Sequence, residues 1–214
     1  DNRLLGTILR QQGGCRHYAL EGSIFVAGSL IKWLRDELGL IRAAQETEAL
    51  ARSVTDNGGV SLLPALSGLG APHWRPEARG VIAGLTQGTT RAHIVRAALE
   101  SMAHQVHDLA GAFAADGAPW TNLRIDGGMS ANDWIAQDLA DILNLPVERP
   151  ADVETTARGA AMLAAVGAGL HASLEDAAAA MPIRQRFKPR MTAPTRAARL
   201  GNWNDILRTA IGGS

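Results

Sequence analysis

The chain has a single cysteine, Cys15, so neither an internal disulfide framework nor a site built from several thiolates is available to it. It has no excess of either charge: Lys plus Arg and Asp plus Glu are both 21, and the pI is about 7.2. Without a basic stripe, nucleic acid and anionic membrane are not expected partners. No apolar run approaches the ~18 residues of a membrane span. The opening, DNRLLGTILRQQGG, has neither signal-peptide character nor an initiator methionine. It runs almost at once into a strand-like LLGTIL, which reads as a start inside something larger, and a reducing cytoplasm suits the lone thiol. Also missing are the G-x-x-x-x-G-K-[ST] phosphate loop, the G-x-S-x-G elbow, and a kinase-type G-x-G-x-x-G or H-R-D segment.

What is present is enough for one large domain or two small ones, with 214 residues of which 46% are hydrophobic. Leu4–Arg10 and His17–Glu21 read as strands around a polar turn. From Phe25 the period becomes helical, with Val26, Leu30, Trp33, Leu34 and Leu38 on one face and Gly39 as a stop. Glu46–Val54 reads as a second helix, Asp56–Gly59 as a turn, and Val60–Leu66 as a buried strand. Ser67–Arg79 is a loop expected to gather around Trp74, and Gly80–Leu85 returns to strand. Ile94–Phe113 is the longest periodic segment, its face running Val95, Leu99, Met102, Val106, Leu109 and Phe113. Pro146–Glu148 follows as a short strand. Glu154–Leu170 is rich in Ala and Gly, suited to close approach against a sheet or helix. A short helix at Ser173–Met181, a strand at Ile183–Phe187 and a helix at Pro194–Ile211 complete the chain. Strands alternating with long helices indicate an α/β fold, and the early hairpin indicates a mixed sheet.

One stretch carries more chemistry than the rest: NLRIDGGMSANDW, residues 122–134. It reads as a strand, a Gly127-Gly128 turn, and a helix start with Ser130 and Asp133 as a capping box. Ile135, Leu139 and Ile142 form the face of the helix that follows. Glycines let a ligand approach the backbone, and a helix N-terminus offers N–H groups with partial positive charge. The unit is therefore either a seat for a nucleotide or phosphate, or a tight strand-to-helix connection with no ligand. Asp126 could hold a magnesium-bound water, act as a base, or simply brace the turn. Asp152 and Glu154 read as complements to a helix dipole. Lys32 lies four residues after Gly28 on the same helix side and either meets a phosphate or faces solvent. His104 and His107 are spaced to share a metal, but no third ligand stands near them, and they read as exposed surface histidines. No residue declares itself catalytic.

Three long segments carry a resemblance. HYALEGSIFVAGSLIKWLRDELGL, LPALSGLGAPHWRPEARGVIAGLTQGTTRAHIVRAALES and LRIDGGMSANDWIAQDLADILNLPVERPADVETTARGAAMLAAVGAG closely resemble the glycerol kinases, within the FGGY carbohydrate kinases. The likeness runs from about Leu4 to Lys188. It implies an actin/hexokinase-like (ribonuclease H-like) lobe, with a mixed sheet flanked by helices. It also implies ATP with Mg2+ as cofactor and transfer of the ATP γ-phosphoryl group to the 3-hydroxyl of glycerol. The family's nucleotide contacts carry over onto Gly28, Lys32, Gly127, Gly128 and Asn132, with the Met129 backbone beside them. Lys32 stands where the family commonly has Gln. His73 and Arg75 replace a Tyr and an Asp of the family's loop. Gly84–Glu100 matches a signature expected to act as scaffold, with Thr86, Gly88 and Arg91 holding the lobe together.

By the same resemblance, the catalytic aspartate, the glycerol-binding residues and a GTG-type phosphate turn belong before Asp1. The expectation is thus a C-terminal FGGY-type ATP-binding lobe over 1–214, lacking its N-terminal strands and inactive alone. Glycerol would reach it through the missing lobe, and its free sheet edge invites self-association into a homo-oligomer. The alternatives are a lobe of another FGGY sugar kinase, or a non-catalytic nucleotide-binding or interaction module.

Overall fold

The computed structural model describes residues 3–152, 154–179 and 183–212. They form two compact units, Asp1–Trp120 with Met191–Ser214, and Thr121–Arg190.

In the first unit, strands β1 (Leu5–Gln12) and β2 (Cys15–Glu21) form an antiparallel hairpin. The register slips between Ile8 and Arg10, leaving Leu9 as a bulge. Helix α1 (Gly28–Asp36) buries Leu30, Ile31 and Leu34, close to the expected face, although Leu38 beyond it is exposed. Helix α2 (Glu46–Arg52) precedes the Asp56–Gly59 turn. There Gly58 N–H donates to Asp56 Oδ1 at 2.8 Å and Gly59 N–H to Asn57 Oδ1 at 3.0 Å, the side chains standing in for backbone acceptors. Strands β3 (Ser61–Leu63) and β4 (Val81–Ala83) pair antiparallel and are shorter than their apolar runs suggested.

Gly84 follows β4 with φ +79°, and a Cβ there would fall 2.1 Å from the Gly59 carbonyl oxygen. Only glycine permits both that backbone and that approach. Helix α3 (Arg91–Ala115) starts at Thr90, whose N–H donates to His93 Nδ1 at 3.0 Å. It buries Val95, Leu99, Met102 and Leu109 of the expected face, while Val106 and Phe113 are half-buried.

The scaffold role expected of the 84–100 segment falls to other residues than Thr86, Gly88 and Arg91. Thr86 and Gly88 bond locally, Gly88 N–H donating to Thr86 Oγ1 at 3.3 Å, and Arg91 is exposed. The bridging is done by Arg96 and buried Glu100. Arg96 donates to Glu100 Oε1 at 3.0 Å and to the Val54 carbonyl at 2.6 Å, and Asn57 Nδ2 donates to Glu100 Oε2 at 2.7 Å. These bonds tie α3 to the end of α2 and to the turn after it.

Helix α7 (Ala193–Ile211) starts from the Thr192 hydroxyl, which accepts from Thr195 N–H at 3.4 Å. Its Trp203, Ile206 and Leu207 close a core with Leu63, Ala65, Leu69 and Ala78. The 67–79 loop therefore packs on Trp203 rather than gathering around Trp74. Trp74 is half-buried, edge-on to Phe25, with Nε1 donating to the Arg3 carbonyl at 2.7 Å.

In the second unit, strands β5 (Leu123–Arg124), β6 (Val147–Pro150) and β7 (Ile183–Phe187) form a sheet in the order β5-β6-β7. β5–β6 is parallel and β6–β7 antiparallel, so the expected mixed sheet is present. Helix α4 (Asp133–Leu143) covers it with Ile135, Leu139 and Ile142, all buried, each side chain contributing ~1.5–3 kcal/mol. Helix α5 (Thr155–Gly167) buries none of its residues, contrary to the close packing its small side chains suggested. Helix α6 (Leu174–Ala179) starts with Ser173 Oγ accepting from Asp176 N–H at 3.1 Å. The end expected at Met181 lies outside the described residues.

His104 and His107 share no metal ligand set; no group of three candidate ligands occurs among the described residues. Nor is His104 exposed as expected: it is 8% accessible, and its ring lies 5.4 Å from that of Trp203. The reason is the width of the α3 interface, which buries Glu100 through Gln105 continuously. Asp108 next to it accepts from Trp203 Nε1 at 2.9 Å and pairs with His73 Nε2 at 2.9 Å, so His73 clasps the loop to α3. Burial opposes ionisation of Asp108, yet His107, His73 and Trp203 together hold its carboxyl below the usual range.

Burial first, then the charge of Arg199, lowers the His104 pKa from 6.5 to about 3. The unfolded chain takes up that proton near 6.5, whereas the folded chain resists it until about 3, so stability falls as pH drops through this window. Urea unfolding at steps from pH 7 to pH 4 should show that decline, and His104→Phe should flatten it. Equal slopes for the two proteins would refute the assignment.

Candidate functional site

The candidate site of the second unit is built on the end of β5. Ile125 N–H donates to the Glu148 carbonyl at 3.0 Å, extending the pairing by one residue. The Asp126 carboxylate then accepts from the Thr155 hydroxyl at the start of α5, so it braces the turn between two elements. Gly127 adopts φ +76° and ψ 177°, backbone that an L side chain rarely tolerates. Gly128–Ala131 forms a 3-10 turn, and α4 begins after it.

The helix start differs from the capping box expected of Ser130 and Asp133. Ser130 Oγ instead donates to the Gly127 carbonyl at 2.7 Å. The cap is Asn132, extended at φ −83° and ψ 109°, whose Oδ1 accepts from Ile135 N–H at 3.1 Å. The intervening 3-10 turn shifts the helix start by two residues and buries Ser130, whose hydroxyl is satisfied locally. Asp133 is also diverted, to Arg149.

Arg149, which carried no signal in the hydrophobic pattern, organises this site from β6. Its side chain is only 6% accessible. It donates to the Ser130 carbonyl at 2.6 Å, to Asp133 Oδ1 at 2.7 Å and to Gln185 Oε1 at 2.6 Å. Its guanidinium carbon lies 5.5 Å from the centre of the Phe187 ring. One side chain thus fastens the 3-10 turn and the first residue of α4 to β6 and β7.

Gly127 and Gly128 are exposed, Met129 and Asn132 half-buried, and all four lie on the turn that leads into α4. A Cβ built on either glycine would meet nothing within 4 Å. Beside Asp126 lies a cleft of about 510 Å3, with Ile125, Pro150 and Ile183 as apolar wall and Arg124, Glu148 and Thr155 as polar rim. Arg186 foremost, and also Arg124, holds the Glu148 carboxyl below its ordinary pKa. Asp152 is likewise lowered, chiefly by accepting from Glu154 N–H at 3.0 Å and then by Arg158, so it braces the entry to α5 through a local turn bond, a role different from the dipole complement expected of it.

Gly28 and Lys32 belong to the first unit. Gly28 is the first residue of α1, and the Ala27 carbonyl before it accepts from Leu30 N–H at 3.0 Å. No acidic residue occupies the first turn of that helix. Lys32 is exposed one turn on.

If Arg149 fixes the turn, Arg149→Met should cost about 2 kcal/mol, because it takes the donor from the Ser130 carbonyl and the tie to Gln185, whereas Asp133, 42% accessible, turns to water. Chemical denaturation measures this, and a loss under ~0.5 kcal/mol would rank the arginine with ordinary surface positions.

The family profile of FGGY carbohydrate kinases, C-terminal domain, matches residues 6–168. The glycerol kinase of Rhodospirillum centenum is 51% identical over 213 residues, which are 100% of this chain and 43% of that protein. That of Alcanivorax borkumensis is 53% identical over 207 residues, 96% of this chain and 42% of its own. Among solved structures, Plasmodium falciparum glycerol kinase with ADP superposes with a TM-score of 0.88 at 34% identity, covering 97% of this chain and 42% of that one. Xylulose kinase from Rhodospirillum rubrum gives 0.81 at 26% identity, covering 98% of this chain and 42% of that one. The chain thus spans about two-fifths of the length of these relatives, and its fold is the actin/hexokinase-like one of their group. With the profile extending from the first hairpin to the end of α5, the chain belongs to the FGGY family of carbohydrate kinases.

Proposed function

We propose that residues 1–214 are the C-terminal, nucleotide-binding lobe of a cytoplasmic glycerol kinase, which passes the γ-phosphoryl group of ATP to glycerol and yields glycerol 3-phosphate. The observation that carries this reading is the open Gly127-Gly128 turn ahead of a capped helix, in a chain about half identical to glycerol kinases throughout its length. In this reading Gly127, Gly128, the Met129 backbone and Asn132 are the nucleotide contacts of the second unit, and Gly28 and Lys32 are those carried over, by resemblance, to the first unit. Mg2+ would be held mainly by the nucleotide phosphates and the rest of the enzyme, with Asp126 serving the turn through its bond from Thr155. Phosphoryl transfer is governed by positioning and charge stabilisation, and this lobe supplies the positioning of the nucleotide.

The base that accepts the glycerol proton and the glycerol pocket are assigned to the part of such a kinase that this chain does not span. The xylulose kinase likeness keeps a second sugar kinase reading open to test, but at 26% identity against 51% it is the weaker one.

Gly128 separates ligand binding from folding. Because a Cβ there meets nothing, Gly128→Val should leave stability unchanged while weakening ADP binding at least about tenfold, roughly 1.4 kcal/mol, in a polypeptide of full glycerol-kinase length. Glycerol affinity should not move. Lys32→Ala in the same polypeptide should raise the KM for ATP in a salt-sensitive way if the ammonium reaches a phosphate. Equal loss of both ligands in a folded Gly128→Val protein would overturn the nucleotide assignment.

The 214-residue chain alone should form no glycerol 3-phosphate from ATP and glycerol. Adding the separately made preceding lobe should restore turnover, with glycerol preferred over xylulose in the same assay. Activity of the chain by itself would show that its residues include the base.

A further inference from the structure

A small cavity with polar walls lies inside the first unit, where α3, α7, β3 and the turn after α2 meet. It measures about 20 Å3, and its walls include Asn57, Leu62, Glu100, His104, Arg199 and Trp203. Glu100 and His104 are only 3% and 8% accessible. The His104 Nε2 atom is buried and has no hydrogen-bond partner among the described residues. A polar atom left unpaired at such depth is unfavourable, and native interiors regularly answer it with an ordered water. A second gap borders the same space. Arg199 Nη2 and Glu100 Oε1 stand 4.0 Å apart, too far for a direct hydrogen bond but a span that one water bridges. Glu100 has capacity to spare. Arg96 donates to its Oε1 at 3.0 Å and Asn57 to its Oε2 at 2.7 Å, whereas a carboxylate offers about four lone-pair sites.

We propose that this cavity is a binding site for a single water molecule, which donates to Glu100, accepts from Arg199 and makes its third bond to His104 Nε2. Size and charge both select that ligand. A water needs roughly 10–15 Å3 of such space, so the cavity holds one and not two. An anion would meet the Glu100 carboxylate, and a cation would meet the Arg199 guanidinium. A neutral molecule with two donors and two acceptors suits both neighbours. His104, with its pKa lowered to about 3, is uncharged at neutral pH, so Nε2 carries either a proton or a lone pair. After serving Glu100 and Arg199 the water keeps one hydrogen and one lone pair, and it answers either tautomer.

The water adds a polar tie between α3 and α7, one helical turn from the bond that Trp203 Nε1 donates to Asp108. Buried waters with about three bonds of this kind are integral parts of a fold. The inference needs only the packing of the first unit and does not rest on the glycerol kinase reading.

The test is a crystal structure of a polypeptide of full glycerol-kinase length, at a resolution that orders buried water, together with the same crystals after chloride is exchanged for bromide. One density peak is expected at about 2.7–3.2 Å from His104 Nε2, Glu100 and Arg199, with no anomalous signal in bromide. His104→Phe keeps an aromatic ring against Trp203 and removes the nitrogen, so the peak should be lost. A dry cavity in otherwise well-ordered wild-type density would overturn the proposal, whatever the variant does. An anomalous bromide peak would overturn it too, by making the occupant an anion. A peak that survives His104→Phe at full height would remove His104 from the site and overturn the three-bond assignment.

Discussion

The second unit depends on one buried cation. Removing a guanidinium from water costs several kcal/mol, and the cost is offset only when its donors find acceptors of good geometry. Arg149 meets that condition at its two terminal nitrogens, through a carboxylate, a side-chain amide and a backbone carbonyl on three different segments, while its buried Nε finds no acceptor among the described residues. None of those segments can move without leaving a charge or a carbonyl unpaired. The geometry of the glycine turn is therefore imposed from the sheet below it. A helix cap alone, worth about 1 kcal/mol, could not hold the turn so firmly.

The first unit solves a similar problem with opposite sign. Glu100 is buried in the middle of α3 and answered by Arg96 and Asn57, and Asp108 is answered by Trp203 and His73. Each acid links elements far apart in sequence, α2 and its turn in one case, the 67–79 loop and α7 in the other. These links explain why a loop rich in glycine and proline is held closely against the core, with Leu69 and Ala78 buried under Trp203.

Much of this was legible from residue order. The hairpin, α1, α3, α4 and α7 follow from period and turn chemistry, because each has one apolar face and a polar or glycine stop. What was not legible depends on contacts across the sequence. Ser130 has the spacing of a cap, but the 3-10 turn hands that task to Asn132, and only Arg149 explains why Asp133 points elsewhere. Small residues in α5 permit close packing without requiring it, and among the described residues none of its side chains is fully buried. His104 lies off the apolar face of α3 that the period picks out, and its burial comes from α7, some hundred residues later. The resemblance to the family assigned Gly127, Gly128 and Asn132 to a nucleotide, where the turn chemistry alone fitted a plain strand-to-helix connection as well as a ligand seat.

The two adjacent glycines of that turn answer to different constraints. Gly127 is demanded by the backbone, since its positive φ would strain any residue with a side chain. Gly128 is demanded by nothing within the chain: its φ is not of the left-handed kind, and a Cβ would stand in open space. A position the fold would let any small side chain occupy, placed beside a strained turn that a buried arginine holds rigid, is a position kept low on the surface. Low, rigid backbone at the entry to a helix is what an anionic or nucleotide ligand uses. Open space above a glycine is shared with Gly111, Gly159 and Gly201, so what sets Gly128 apart is its place beside a strained turn held by a buried arginine, and the nucleotide reading proposed above is what gives that place a use.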